Sequence, residues 1–193
     1  MPGAMTIDAR DALLIIDVQN AIDDPRWRQQ GDRNHPEAEH NIARLLAAWR
    51  ERRLPIYHIR HDSRFADSSY RTGQPGNDFK REAMPLAGEP VIAKQANSAF
   101  IGTDLESQLR DAGHAMLFVA GVITNNSVEA TVRMAGNLGF DTYLVEDACF
   151  TFARLDWNGR LWRAVDVHAL SVANMSGEYC AVVTTEEAIK LIR

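Results

Sequence analysis

Short runs of apolar residues alternate along the chain with longer stretches in which apolar residues recur every three or four positions. The runs are 12–17 (ALLIID), 55–60 (PIYHIR), 90–94 (PVIAK), 115–122 (AMLFVAGV), 142–147 (TYLVED) and 180–185 (CAVVTT). They are nearly continuous in apolar residues instead of alternating, which predicts strands covered on both faces, as in a parallel sheet. The stretches between them predict helices. Residues 37–53 place Ile42, Leu45, Leu46 and Trp49 on one stripe. In 103–113, Thr103 and Glu106 have capping-box spacing and Gly113 supplies a stop. Another helix follows Ser127 and ends at Gly139, and Thr184 with Glu187 repeats the capping-box spacing before the last helix. Strand, helix, strand with short links predicts a three-layer α/β domain.

Two segments break that rhythm. Residues 61–89 are rich in Gly, Pro and Ser and too long for an ordinary connection, which predicts a lid or a subunit contact anchored by Tyr70, Phe79 and Met84. Residues 151–166, with Trp157 and Trp162, form a shorter segment of the same kind. A length of 193 residues fits a single domain, 1–193, with 1–9 expected to be a tail or cloning remnant outside the fold. The composition, 46% hydrophobic and 24% charged, is that of an ordinary globular protein able to bury a core. A net charge of −5 and singly scattered arginines give no footprint for nucleic acid or an anionic membrane. No apolar run approaches the roughly 20 residues of a membrane span. Two cysteines, Cys149 and Cys180, without a CxxC pair, predict reduced thiols and a cytoplasmic location.

In open α/β sheets ligands bind beyond the carboxyl ends of the strands, where the strand order reverses. The residues that end or follow the first, third and fourth runs are Asp17, Lys94 and, after the turn ITNN, Ser127. In a sheet of order 3-2-1-4-5-6 the first and fourth strands are neighbours, so Asp17 and Ser127 face one crevice with Lys94 further along it. Singly, each has an ordinary structural use: a turn aspartate, a solvated lysine, a serine capping its own helix. Together, an acid, an amine and a hydroxyl at strand ends point to chemistry.

The segments IIDVQN, VIAK-x-x-x-SAF and GVITNNSVEATVRMAGNLGFDTYLVEDA resemble the isochorismatase-like hydrolases, also called cysteine hydrolases, and occur in the expected order over roughly residues 10–185. The resemblance implies a six-stranded parallel sheet between helices and a homo-oligomer, dimer or tetramer. It also implies an Asp–Lys–Cys triad, which falls on Asp17, Lys94 and Ser127. A non-proline cis peptide, here between Val122 and Ile123, would turn the amide of Ile123 toward that of Ser127 to form an oxyanion hole. Gln19, Asn97 and Phe100 are candidate pocket liners.

The serine changes the expected chemistry. A thiol near a cation ionises readily, whereas a serine hydroxyl is a far weaker acid that needs a base. Lys94 beside Asp17 is expected to stay an ammonium, which leaves Asp17 to take the proton. His58 and His61 end the second strand but are expected to be packing groups. Three readings follow. The first is hydrolysis of a C–N bond in a small amide-like substrate with Ser127 as nucleophile. The second is vinyl-ether hydrolysis of the isochorismate type, with Asp17 as general acid and no protein nucleophile. The third is a binding protein that kept the fold. The segment VEATVRMAGNLGF looks more like the amide-cleaving branch. The nicotinamidase branch holds zinc with Asp-x-His, and here His61 precedes Asp62, so neither a metal nor an organic cofactor is expected.

Overall fold

The computed structural model describes residues 7–192. Six parallel strands form one sheet: β1 (Asp11–Ile16), β2 (Ile56–His61), β3 (Val91–Lys94), β4 (Met116–Val122), β5 (Asp141–Phe150) and, last in the chain, β8 (Ala181–Val183). The sheet order is β3-β2-β1-β4-β5-β8. A small antiparallel hairpin, β6 (Arg154–Leu155) with β7 (Leu161–Trp162), lies between β5 and β8 in the chain and outside the main sheet. Apart from that inserted hairpin, the winding is the expected 3-2-1-4-5-6.

Strand β1 is buried along its whole length because helices cover both faces. Ala12, Leu14 and Ile16 point to one side, where Leu105 and Leu109 of α2 (Leu105–Asp111) and Val132 and Ala135 of α3 (Glu129–Asn137) meet them. Leu13 and Ile15 point to the other, against α1 (Ala38–Glu51) and α5 (Thr185–Lys190). The stripe Ile42, Leu45, Leu46 and Trp49 of α1 is buried there, as the 3.6-residue spacing requires. The last long helix, α4 (Ala164–Met175), closes the first face with Met175. The outer strands are less covered than expected. β3 pairs only with β2, and its Val91 is 41% exposed, because an edge strand has a neighbour on one side only. Among the described residues, no helix is long and apolar enough to cross a membrane.

Of the two anticipated capping boxes, one forms. Thr184 and Glu187 form a complete capping box ahead of α5. Thr103 and Glu106 do not form one: the Thr103 hydroxyl donates to the Ala99 carbonyl at 2.5 Å, Asp104 takes the cap position, and Glu106 pairs with Arg110 one turn on. The Thr103 hydroxyl is drawn to the preceding turn and accepts only a long 3.4 Å bond from the Leu105 amide.

The segment 61–89 is ordered by polar clamps as much as by apolar anchors. Tyr70 is buried, but Met84 is 48% exposed and is held through its carbonyl, which accepts from Arg50, and not through its side chain. The Asn77 amide donates to the carbonyls of His61 and Tyr70 and to Asp62. Near its end, Glu89 accepts from Arg50 of α1 through both oxygens, from the Leu86 amide, and from the His58 ring. Burial opposes ionisation of Glu89, but the Arg50 guanidinium, the Leu86 amide and His58 outweigh it and hold the carboxyl at about 2 instead of its ordinary 4.5. A carboxyl depressed on folding stabilises the fold above its unfolded value and loses that contribution as pH falls through its folded value. Urea midpoints should therefore fall between about pH 5 and pH 2, and Glu89→Gln should flatten that limb while lowering stability at neutral pH. An unchanged acid limb in the variant would show that Glu89 does not clamp α1 to this segment.

Candidate active site

The site is built where β1 and β4 part. Register pairs Ile16 with Gly121, and Gly121 has φ +131. A Cβ at Gly121 would lie 2.2 Å from the Ile16 carbonyl oxygen, so only glycine lets the two backbones run this close. One residue beyond Ile16, Asp17 adopts a left-handed backbone (φ +54), and its amide donates to Ile59 of β2. This ends the strand and leaves the side chain at its carboxyl end. On β4 the chain passes through a cis peptide between Val122 and Ile123 and enters a single wide helical turn, Thr124–Val128, that runs into α3. Ser127 sits on that turn and is 8% exposed.

Lys94 ends β3, two strands from β1, and its side chain is completely buried. Its ammonium reaches across the end of β2 and is the centre of the site. It donates to Asp17 Oδ2 at 2.7 Å, to the Ala96 carbonyl at 3.1 Å and to Ser127 Oγ at 3.3 Å. Asp17 Oδ1 is buried and has no hydrogen-bond partner. A buried carboxylate oxygen with nothing to accept from is costly, and such a group calls for a reason. It is an acceptor held ready inside the crevice.

Asp17, Ser127, Ile123, Asn126 and Asn97 all line one pocket of about 180 Å³. That is below the roughly 300–1,000 Å³ of drug-sized pockets. Trp27, Phe65 and Tyr70 form its apolar wall; Tyr70 meets Trp27 edge to face. Tyr70 is buried, and burial together with Asp17 and Asp23 pushes its phenol well above 10, so it remains a donor; its hydroxyl points at the Asp17 carbonyl at 3.4 Å.

Two of the anticipated pocket liners are not in the pocket. The Gln19 side chain is fully buried and spent on backbone: it donates to the carbonyls of His61 and Asn77 and accepts from the His61 amide. It fastens the start of the 61–89 segment to the end of β1. Phe100 is a core residue stacked on Phe140 at 5.9 Å, because the turn after β3 carries it back under α3. Asn97 does line the pocket.

His61, expected to be a packing group, belongs to the site. Its register partner is Lys94, and its Nδ1 lies 3.5 Å from the Lys94 ammonium, on the pocket wall. Burial pushes its basicity down, with Lys94 adding to the effect and Asp17 opposing it, so the ring is neutral at pH 7 and able to accept. The signal was its place at a strand end, the same signal that picked out Asp17 and Lys94. His58, three residues earlier on β2, faces the opposite layer and bonds Glu89.

With that geometry, similarity to known proteins can be placed. The isochorismatase domain pattern matches residues 11–187. The chain belongs to the isochorismatase family. It is 56% identical to a family protein of known structure from Chromobacterium violaceum, which covers 99% of this chain and 98% of that one with a TM-score of 0.92. It is 37% identical over 183 residues to the uncharacterized family protein YrdC of Bacillus subtilis, across 95% of this chain and 96% of the relative. A more distant relative is the maleamate amidohydrolase of Pseudomonas putida, 29% identical over 121 residues, which are 63% of this chain and 52% of that protein. The family is one of hydrolases, and hydrolysis is the reaction class of this chain.

Proposed function

We propose that this isochorismatase-family hydrolase cleaves a C–N bond in a small amide-like molecule, with Ser127 as nucleophile. The observation that carries the reading is the buried node at Lys94: one ammonium holds Asp17 and the Ser127 hydroxyl at 2.7 and 3.3 Å while Asp17 Oδ1 stays free to accept. The relationship to maleamate amidohydrolase agrees with it.

In this reading Asp17 takes the Ser127 proton, and Ser127 Oγ attacks the carbonyl carbon. Lys94, already donating to Oγ, offsets the negative charge that grows there. The carbonyl oxygen becomes an oxyanion, which the backbone amides of Ile123 and Ser127 hold. The C–N bond then breaks, and the amine leaves with the proton from Asp17. Water attacks the resulting ester, Asp17 takes its proton and returns it to Ser127 Oγ, and the acid is released. Trp27, Phe65 and Tyr70 give the substrate an apolar wall to pack against.

The test is to quench the protein during turnover of small primary amides and weigh it intact. The expected result is a covalent acyl adduct that peptide mapping places on Ser127. Turnover of vinyl ethers alone, with no adduct, would replace this reading with acid catalysis by Asp17.

A further inference from the structure

On the far side of the Ser127 turn, three donor groups from distant parts of the sequence converge. They are His35 from the loop before α1, Glu146 from β5 and His168 from α4. The His168 Nε2 lies 3.2 Å and the His35 Nε2 3.7 Å from the same oxygen, Glu146 Oε2. One ligand atom from each lies within 4.8 Å of the others. The two rings meet edge to face with centroids 4.6 Å apart.

The opposite ring nitrogens are also engaged. His35 Nδ1 lies 3.0 Å from the Cys149 carbonyl, which can only accept, so Nδ1 carries the hydrogen. The His35 Nε2 then faces the Glu146 carboxylate oxygen at 3.7 Å, beyond hydrogen-bonding distance and wide enough for a shared cation. His168 Nδ1 lies 2.9 Å from the buried Thr124 hydroxyl, which fixes that ring too. Imidazoles that bind metal through one nitrogen commonly have the other held by a carbonyl or hydroxyl in this way.

We propose that His35, Glu146 and His168 form a site for a divalent first-row transition metal of the zinc type, distinct from the pocket at Ser127. Two imidazoles and one carboxylate suit zinc better than magnesium or calcium, which favour all-oxygen sets. Bonds of about 2.0–2.2 Å in a tetrahedron put ligand atoms roughly 3.3 Å apart. Both glutamate–histidine separations are already close to that, and only the two imidazole nitrogens need to draw together. The His35 and Glu146 side chains are 32% and 29% exposed, which gives the ion an entry path and leaves the fourth position to water. The sequence offered no sign of this set, because none of its members shares a ligand spacing with another. Bound there, the ion would join β5, α4 and the loop before α1 behind Thr124, three residues from Ser127.

The test uses the full chain without a polyhistidine tag, stripped with a chelator, then titrated with Zn²⁺ and with Co²⁺ as a spectroscopic stand-in. The expected result is one equivalent of metal per chain, a tetrahedral Co²⁺ absorption and a Zn²⁺-dependent rise in Tm. His35→Ala and Glu146→Gln, at partly exposed positions, should each weaken binding tenfold or more and lose the Co²⁺ absorption. The remaining histidines stay in both variants and report any adventitious binding. Equal Zn²⁺ affinity in wild type and both variants, or no stoichiometric binding in the wild type, would overturn the proposal.

Discussion

Ser127→Ala is expected to lower amide turnover roughly 10³-fold or more, while Ser127→Cys keeps the rate or raises it. The two variants differ in what they leave at the Lys94 node. Alanine removes the attacking atom but leaves the Lys94–Asp17 pair at 2.7 Å, so the protein should fold with near-normal stability. Cysteine restores a nucleophile that ionises more readily than serine and sits beside the same ammonium. Steady-state rates with correctly folded variants decide the matter. If Ser127→Ala stays active while Asp17→Asn is dead, Asp17 is a general acid and Ser127 a bystander. If neither variant nor wild type turns over any amide or vinyl ether yet a small ligand binds, the protein is a binder on a hydrolase fold.

The second large effect is on stability. Lys94→Met should cost roughly 3–5 kcal/mol, because it leaves the Asp17 carboxylate buried without its partner. Asp17 is 4% exposed and its Oδ1 already has no hydrogen bond; loss of Lys94 removes the bond to Oδ2 as well. The double variant Asp17→Asn/Lys94→Met should recover part of the loss, since no lone charge then remains. Urea unfolding of the four proteins gives the coupling directly. A single variant within about 1 kcal/mol of wild type would mean that the pair is less desolvated than its burial indicates. Activity is expected to vanish in every member of the cycle except the wild type.

Much of this arrangement was legible in the chain. The strand runs and the α1 stripe follow from periodicity, because burial on both faces or on one imposes the pattern directly. Asp17 and Lys94 were found because a polar residue at the end of a buried strand has few places to go other than the sheet's edge. The motif turn identified Ser127. What could not be read was side-chain direction. Gln19 lies two residues after Asp17, yet the left-handed step at Asp17 turns its amide onto the backbone of the 61–89 segment. Phe100 is near Lys94 in sequence but rotates into the core. Thr103 had a cap's spacing and a competing acceptor at Ala99. His61 had a position as telling as those of its neighbours, but its relation to Lys94 depends on strand register, which the sequence leaves open. The His35, Glu146 and His168 cluster is further from view still, since a loop, a strand and a helix must dock before its members meet.

The contact between Gly121 and the Ile16 carbonyl has a bearing on how this protein tolerates change. Gly121 carries no reacting atom, yet any side chain there collides with the backbone that delivers Asp17. Its identity is thus fixed by the meeting of two main chains and owes nothing to turnover. In a library of random substitutions selected only for soluble protein, position 121 would stay glycine even in a background where Ser127 is alanine, whereas position 127 would accept other small side chains. The glycine at 121 and the serine at 127 therefore answer to separate demands, and position 127 can be changed without touching the backbone contact at 121.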